Sequence, residues 1–349
     1  MVRAVRTTIL VALAAQTTCS KASRGADKST CAAATVPPPS TVAELHEALR
    51  REKFAFVPGA TLWDMLASRG ANSADVPTLA SYWDEAIPQF DERGRDVYPF
   101  KGTLVSYYQM DASLAEGFNV ERSQRLSEGE ALTVAKARGS RAGRSGFTIE
   151  HIDPTTSHGD VSYFRVHKAW PASADSSSVV RALHELIFDL LGRGGGAAWT
   201  IPAPGTNGSS PVWLSMMSGF RVAQVPGAWG EPGPEGVHQD ACELTAVVLL
   251  NRDGNVAPGT GSTRVWSLAQ PSGKSAAAPT GGGGGGSGSG DSSGMSHLIG
   301  EGLLSARFDA LFLLDREVKH EALPFLALDP NQPATRDVLT FEVRRPRLL

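Results

Sequence analysis

Apolar positions in the second half of the chain come in short runs rather than at helical spacing. Leu244-Thr245-Ala246-Val247-Val248-Leu249-Leu250 is apolar and β-branched throughout, the pattern of a buried strand covered on both faces. Ala198 to Ile201, Trp213 to Val225, Thr263 to Leu268, Phe308 to Asp315, Val318 to Ala322 and Arg336 to Val343 read as further strands. Phe54 to Gly59 and Leu104 to Tyr108 add strands upstream. Helical spacing holds at Val179, Val180, Leu183, Leu186, Ile187, Leu190 and Leu191, and Gly192 with Gly194 to Gly196 stops that helix. Thr41 and Glu44 form a capping-box pair ahead of a short helix with Leu45 and Leu49 on one face. Thr61 to Ser68 and Leu79 to Ile87 predict two more helices, with Trp63 and Trp83 as apolar anchors. Many short strands separated by Gly- and Pro-rich turns predict a mainly β fold with flanking helices, its core a sandwich or jelly roll.

The organisation follows from composition. Residues 1–39 carry Arg3, Arg6, Lys21 and Arg24, with no acid before Asp27 and a short apolar run from Ile9 to Ala15. That run is too short to span a bilayer, and the segment reads as an organellar transit or signal peptide ahead of a soluble mature protein. Residues 40–349 form a single expected domain. It is interrupted at 270–297 by a Gly/Ser-rich insertion with six consecutive glycines, Gly281 to Gly286, read as a flexible loop. No Gly-Lys-Ser/Thr closes it, so it is not a phosphate cradle. The polar region Ser123 to Ser145 is expected to be a loop. The 349 residues are 41% hydrophobic and 20% charged, ordinary values for a globular protein. Acids outnumber bases 36 to 33 and no basic stripe stands out, which excludes a nucleic-acid partner. Three cysteines cannot make a disulfide framework. Cys242 reads as a small buried apolar residue.

The candidate chemistry sits at the head of the Leu244 run. His238 and Asp240 stand at H-x-D spacing, which on an extended chain points both to one face. Farther on, His320 supplies a second imidazole, and Arg336 opens a strand-like run sixteen residues later. Two imidazoles and a carboxylate on one face of a metal make the facial triad of non-haem Fe(II) oxygenases. An arginine nearby offers a planar fork to a carboxylate.

PEGVHQD, the NRDGN after it, VKHEALP and TRDVLTFEV together resemble the Fe(II)- and 2-oxoglutarate-dependent dioxygenase superfamily. Within it they resemble the branch that includes hydroxylases of free L-amino acids of the isoleucine type. The resemblance covers residues 211–345 and thins out over 90–210, where FRVHKAWP and YYQ carry it. It implies a double-stranded β-helix, a jelly roll of cupin-like form. It implies Fe(II) on His238, Asp240 and His320, 2-oxoglutarate as cosubstrate with Arg336 on its far carboxylate, and O2. The implied reaction is hydroxylation of a small molecule, a free amino acid. Arg221 and Glu235 are candidate contacts to that substrate's carboxylate and amino group. A hydroxylase of peptide side chains and a cupin-like metalloenzyme without 2-oxoglutarate are the alternatives. Asn251, Arg252 and Asn255 read as holders of the turn after the H-x-D strand, and Arg264 and Trp266 as core packing. His46, His151, His158, His167 and His184 lack partners at ligand spacing and read as structural or solvated. Where the family continues with a glycine pair and an acid, this chain has Pro258-Gly259-Thr260-Gly261-Ser262-Thr263, which lacks the acid.

Overall fold

The structure, a computed structural model, describes residues 16–17, 35–90, 96–111, 124–125, 141–142, 147–152, 163–168, 170–192, 212–224, 226, 229–232, 236–240, 242–273 and 297–344. The Ala198–Ile201 strand and most of the expected targeting segment, of the Ser123–Ser145 stretch and of the Gly-rich insertion therefore lie outside the described residues.

Helix α1 (Val42–Glu52) starts where the capping pair predicts. Thr41 Oγ1 accepts the Glu44 N–H at 3.2 Å. The Glu44 carboxylate reaches one residue farther back than in the usual box, accepting from Ser40 N at 2.7 Å and Ser40 Oγ at 2.6 Å. Lys53, at φ 72°, ends the helix in the left-handed region and turns the chain into β1 (Phe54–Val57). Helix α2 (Gly59–Ala67) follows, and Gly59 has no alternative: a Cβ there would lie 2.1 Å from the Arg307 carbonyl oxygen. The helix expected over Leu79–Ile87 starts earlier, as α3 (Val76–Ser81), and tightens into a 3-10 turn over Tyr82–Glu85. Ile87 instead opens β2 (Ile87–Phe90), because the residue before a proline, here Pro88, is pushed towards extended backbone.

The longer remaining strands and helix are β3 (Asp96–Asp111), β4 (Phe147–Ile152), β5 (Tyr163–Lys168), α4 (Ser178–Gly192), β6 (Val212–Gln224), β7 (Leu244–Arg252), β8 (Thr263–Ser267), β9 (Leu298–Gly302), β10 (Ala310–Leu313), β11 (Val318–Ala322) and β12 (Ala334–Arg344). The large sheet runs β1–β10–β7–β12–β6–β3–β5–β4, with β2 also paired to β3. A small sheet, β9–β8–β11, faces it. The jelly-roll expectation holds, with helices covering the outer face of the large sheet.

Alternation along the strands divides the core in two. Ala246, Val248 and Leu250 of β7 and Leu339, Phe341 and Val343 of β12 point outward, onto Leu183, Leu186 and Ile187 of α4 and onto Trp83 and Trp170. Gly219 lets Trp170 approach that face; a Cβ there would lie 2.4 Å from its ring. On the inner face, Phe54, Val247, Leu311 and Leu313 meet Val265 and Val318 of the small sheet. Between Leu249 and Asn251 the pairing of β7 with β12 shifts by a bulge, which sets Asn251 opposite Asp337 and Arg252 opposite Arg336.

His184 belongs to the outer core. It is 4% exposed, its Nδ1 lies 3.1 Å from the Val180 carbonyl, and its ring stands edge-on to Phe341 at 4.8 Å. Burial pushes its pKa from 6.5 down to about 4, against the pull of the Val180 carbonyl. The unfolded chain therefore takes up a proton first on acidification. The neutral ring's contribution is intact above about pH 6.5 and is lost as pH falls towards 4. By linkage the loss is about 3 kcal/mol. Urea unfolding at pH 7.5 and 4.5 should show His184→Leu losing less stability than wild type by about that amount. An equal loss in both proteins would assign the acid sensitivity to other groups.

Candidate active site

His238 lies in no strand of its own but makes an isolated antiparallel bridge to His320 of β11. The His238 N–H donates to the His320 carbonyl at 3.0 Å, and the His320 N–H returns the bond at 2.9 Å. Residues paired this way carry their side chains to the same side, and the two imidazole centroids are 4.4 Å apart. Asp240, two residues on, points between them: Oδ1 is 3.5 Å from His238 Nε2 and Oδ2 is 3.5 Å from His320 Nε2. The potential ligand atoms of the three residues all lie within 4.8 Å of one another, a span one ion can bridge. The pair does not sit on the leading end of the β7 strand, as the sequence reading had it. The chain bends at Cys242 and Glu243 before β7 begins. His238 and Asp240 thereby leave the large sheet and pair across to the small one.

Both imidazoles are held with Nε2 towards the centre. His238 Nδ1 is 2.8 Å from the Gly236 carbonyl oxygen, which can only accept, so Nδ1 carries the proton. His320 Nδ1 faces Asp315 Oδ1 at 3.5 Å, and neither atom has a hydrogen-bond partner among the described residues. Asp315 is fully buried. Its Oδ2 accepts from Cys242 N at 3.2 Å, and its backbone carbonyl accepts from Gln239 Nε2 at 2.6 Å. On the carboxylate side, Thr245 Oγ1 donates to Asp240 Oδ2 at 3.4 Å and sits 2.9 Å from Cys242 Sγ. Burial opposes a charge on the His238 ring, but Asp240 beside it prevails, with smaller help from the Gly236 carbonyl and Asp315, and its pKa is raised. The field that favours a proton here favours a metal cation equally well.

Arg336 is 4% exposed, and its buried Nε has no hydrogen-bond partner among the described residues. Burial, with the nearby Arg252 charge, lowers its pKa to about 10. No carboxylate among the described residues neutralises it. It lies on the inner face of β12; its neighbour Asp337 faces the opposite way, since alternate residues do. That alternation corrects the expectation for Arg221. Arg221 pairs in register with Asp337 on the outer face and grips it with Nε at 2.8 Å and Nη2 at 2.9 Å. Its Nη1 takes Asp84 at 2.7 Å, and both acids raise its pKa despite partial burial. The fork is filled and turned away from the metal-ligand cluster, so it is a structural ion pair and not a substrate contact. Glu235 lies outside the described residues.

Cys242 is buried as expected, though the bend separates it from the face of Asp240. Trp266 is fully buried, while Arg264 pairs with Glu301 at 3.1 Å. Asn255 does hold the turn: its side chain binds the carbonyls of Asp329, Gln332 and Pro333.

The donor set suits the metal the motifs imply. Two neutral nitrogens and one carboxylate oxygen on one side match Fe(II) with open positions. The unneutralised Arg336 suits an organic anion beside it. A match to the 2OG-Fe dioxygenase family spans residues 165–342, just over half of the chain. The chain belongs to that family. As a 2OG-Fe dioxygenase it uses Fe(II), 2-oxoglutarate and O2, which removes the alternative of a cupin-like enzyme without 2-oxoglutarate.

Solved structures agree in fold. The Fe(II)/α-ketoglutarate-dependent dioxygenase TqaL is 20% identical, with a TM-score of 0.56 over 87% of each chain. A bsmA homologue from Methylobium petroleophilum PM1 is 21% identical, with a TM-score of 0.55 over 88% of this chain and 94% of that one. No curated protein matches in sequence. Among the described residues no helix is long and apolar enough to cross a membrane.

Asp315, Gln239, Thr245 and Gly236 were not singled out from the sequence, because each acts on a ligand from another segment or through the backbone. A carboxylate facing the far nitrogen of a ligating histidine fixes its ring and strengthens the nitrogen as a donor. Asp315→Asn should therefore weaken divalent-metal binding by about 10- to 100-fold, read by Co(II) or Zn(II) titration of protein shown folded by circular dichroism. Unchanged metal affinity would leave Asp315 a packing residue only.

Proposed function

We propose that this 2OG-Fe dioxygenase hydroxylates a free amino acid or similar small molecule, with His238, Asp240 and His320 on Fe(II) and Arg336 on the far carboxylate of 2-oxoglutarate. One observation carries the reading: three ligating atoms gathered within 4.8 Å, on the same inner side of the sandwich as a buried arginine that no acid among the described residues neutralises. The choice of substrate class rests on the resemblance of the PEGVHQD, VKHEALP and TRDVLTFEV motifs to amino-acid hydroxylases.

When bound, iron, oxoglutarate and O2 supply the oxidising power that puts one oxygen atom on a C–H bond, giving succinate and CO2. The chain's own part is placement. The Gly236 carbonyl and Asp315 hold the Nδ1 side of the two imidazoles, so both Nε2 lone pairs face the metal. Thr245 restrains one Asp240 oxygen. Asp240 supplies the negative charge that a dication needs and that a third histidine would lack. Arg336 fixes the direction of the cosubstrate from one end. Val222, directly across from it on β6, and the fully buried Phe325 line that end with apolar surface. Water is kept from the ion pair, which strengthens it.

Purified protein given Fe(II), ascorbate, oxoglutarate and air should yield succinate together with a gain of one oxygen atom in some member of a panel of free amino acids. His238→Ala and Asp240→Ala should abolish both products. Arg336→Ala should raise the oxoglutarate KM on the order of 30-fold through the lost charge-assisted bonds. Oxygen gained by short peptides but by no free amino acid would move the substrate class to peptide side chains. No succinate with any substrate would overturn the reading.

A further inference from the structure

We infer that Arg252 is a second cation for the distal carboxylate of the cosubstrate, so that the seat holds two guanidinium groups rather than one. The inference rests on the reading that Arg336 binds 2-oxoglutarate.

Arg252 ends β7 and stands directly opposite Arg336 of β12. Side chains paired in this way share a face and lie side by side. The bulge between Leu249 and Asn251 brings this about. Along β7 the even residues Leu244, Ala246, Val248 and Leu250 pack outward under the helices. Without the extra residue, position 252 would follow them. With it, Arg252 turns onto the inner face beside Arg336. A bulge that re-aims one side chain is a known device next to reactive centres.

The Arg252 guanidinium is close enough to add to burial, the larger cause, in lowering the pKa of Arg336. Neither meets a carboxylate among the described residues. Arg252 Nη2 is fixed by the carbonyls of Ala257 at 3.0 Å and Thr260 at 2.8 Å. Its Nη1, however, is buried with no hydrogen-bond partner among the described residues, as is Arg336 Nε. The surroundings are apolar: Val222, Val256, Phe325 and Ala334 pack together beside the pair. A buried and a half-buried like charge with spare donors and no counter-ion among the described residues are costly unless an anion joins them. A carboxylate has two oxygens and four lone-pair sites, enough to accept from both forks. An α-keto acid without a distal carboxylate would leave both charges bare, so the pair selects for a dicarboxylate.

Calorimetric titration of Mn(II)-loaded protein with 2-oxoglutarate and with pyruvate tests this without turnover. Pyruvate offers the same keto acid end but no distal carboxylate. Wild type should bind oxoglutarate more tightly than pyruvate. Arg252→Gln should weaken oxoglutarate binding by about tenfold or more while leaving pyruvate unchanged. Arg336→Gln should retain a several-fold preference for oxoglutarate, because Arg252 remains. Undiminished oxoglutarate affinity in Arg252→Gln, an equal loss for both ligands, or complete loss of preference in Arg336→Gln would each overturn the two-cation seat and leave Arg252 a brace for its turn. Failure of wild type to bind oxoglutarate at all would overturn the cosubstrate reading itself, and the seat with it. Should Arg252→Gln not fold, Arg336→Gln decides alone.

Discussion

The reciprocal pair of backbone hydrogen bonds between His238 and His320 is the constraint on which the centre depends. Residues 82 positions apart in sequence are locked in register by two bonds of 3.0 and 2.9 Å. Because the bond is made by the backbones of the ligating residues themselves, the imidazoles have no freedom to drift apart without breaking the bridge. Asp240 is then placed by a single intervening residue. The loop that carries H-x-D is thus anchored at its ligand end to the small sheet and, a few residues later, enters the large sheet as β7. Metal binding and closure of the two sheets over one another are therefore linked: whatever holds the sandwich shut also holds the three donor atoms together.

Strand parity organises the rest. On β12 a one-residue step separates Arg336, on the inner face of the sandwich, from Asp337, facing the helices, and each is buried with a different solution to its charge. Asp337 is fully paired by Arg221, with Asp84 closing the outer end of that network. Such a network satisfies its own hydrogen bonds and belongs to the scaffold. Arg336 is left without an acid among the described residues. In a protein that has supplied one buried charge with every partner it needs, an adjacent buried charge with none is the group to associate with a ligand.

Much of this was legible in the sequence. The strands from Leu244 onward, helix α4 and the capping pair at Thr41 were readable because each is a local pattern: a run, a period or a fixed spacing. The triad was readable because two of its members are two residues apart and the third is the sole histidine beyond the Gly-rich insertion. Other features depend on tertiary facts. Arg221 looked available from its place on a strand near the motif, but which face of β6 it occupies follows from its register with β12, which no local pattern encodes. Asp315 lies in an apolar run that reads as a strand, with nothing to mark its side chain as buried against His320. The early end of the helix after Val76 was the exception: Pro88 was visible, and its effect on Ile87 was the signal passed over.

Arg252 shows most clearly why periodicity alone fails at such a place. Read as a continuous strand, β7 places residue 252 with Ala246 and Val248 on the helix-covered face, where an arginine would serve the scaffold. One inserted residue reverses that. The insertion disrupts regular pairing, and the arginine it turns inward faces a second arginine, so two local costs are incurred at the same position. The folded protein alone recovers part of this through the bonds of Arg252 Nη2 to the Ala257 and Thr260 carbonyls. Both are offset if a dianionic ligand occupies the space between, since binding to the native state alone adds its own free energy to stability. Irregularity of this kind, adverse to the empty fold and favourable to the filled one, is what separates a binding residue from a structural one.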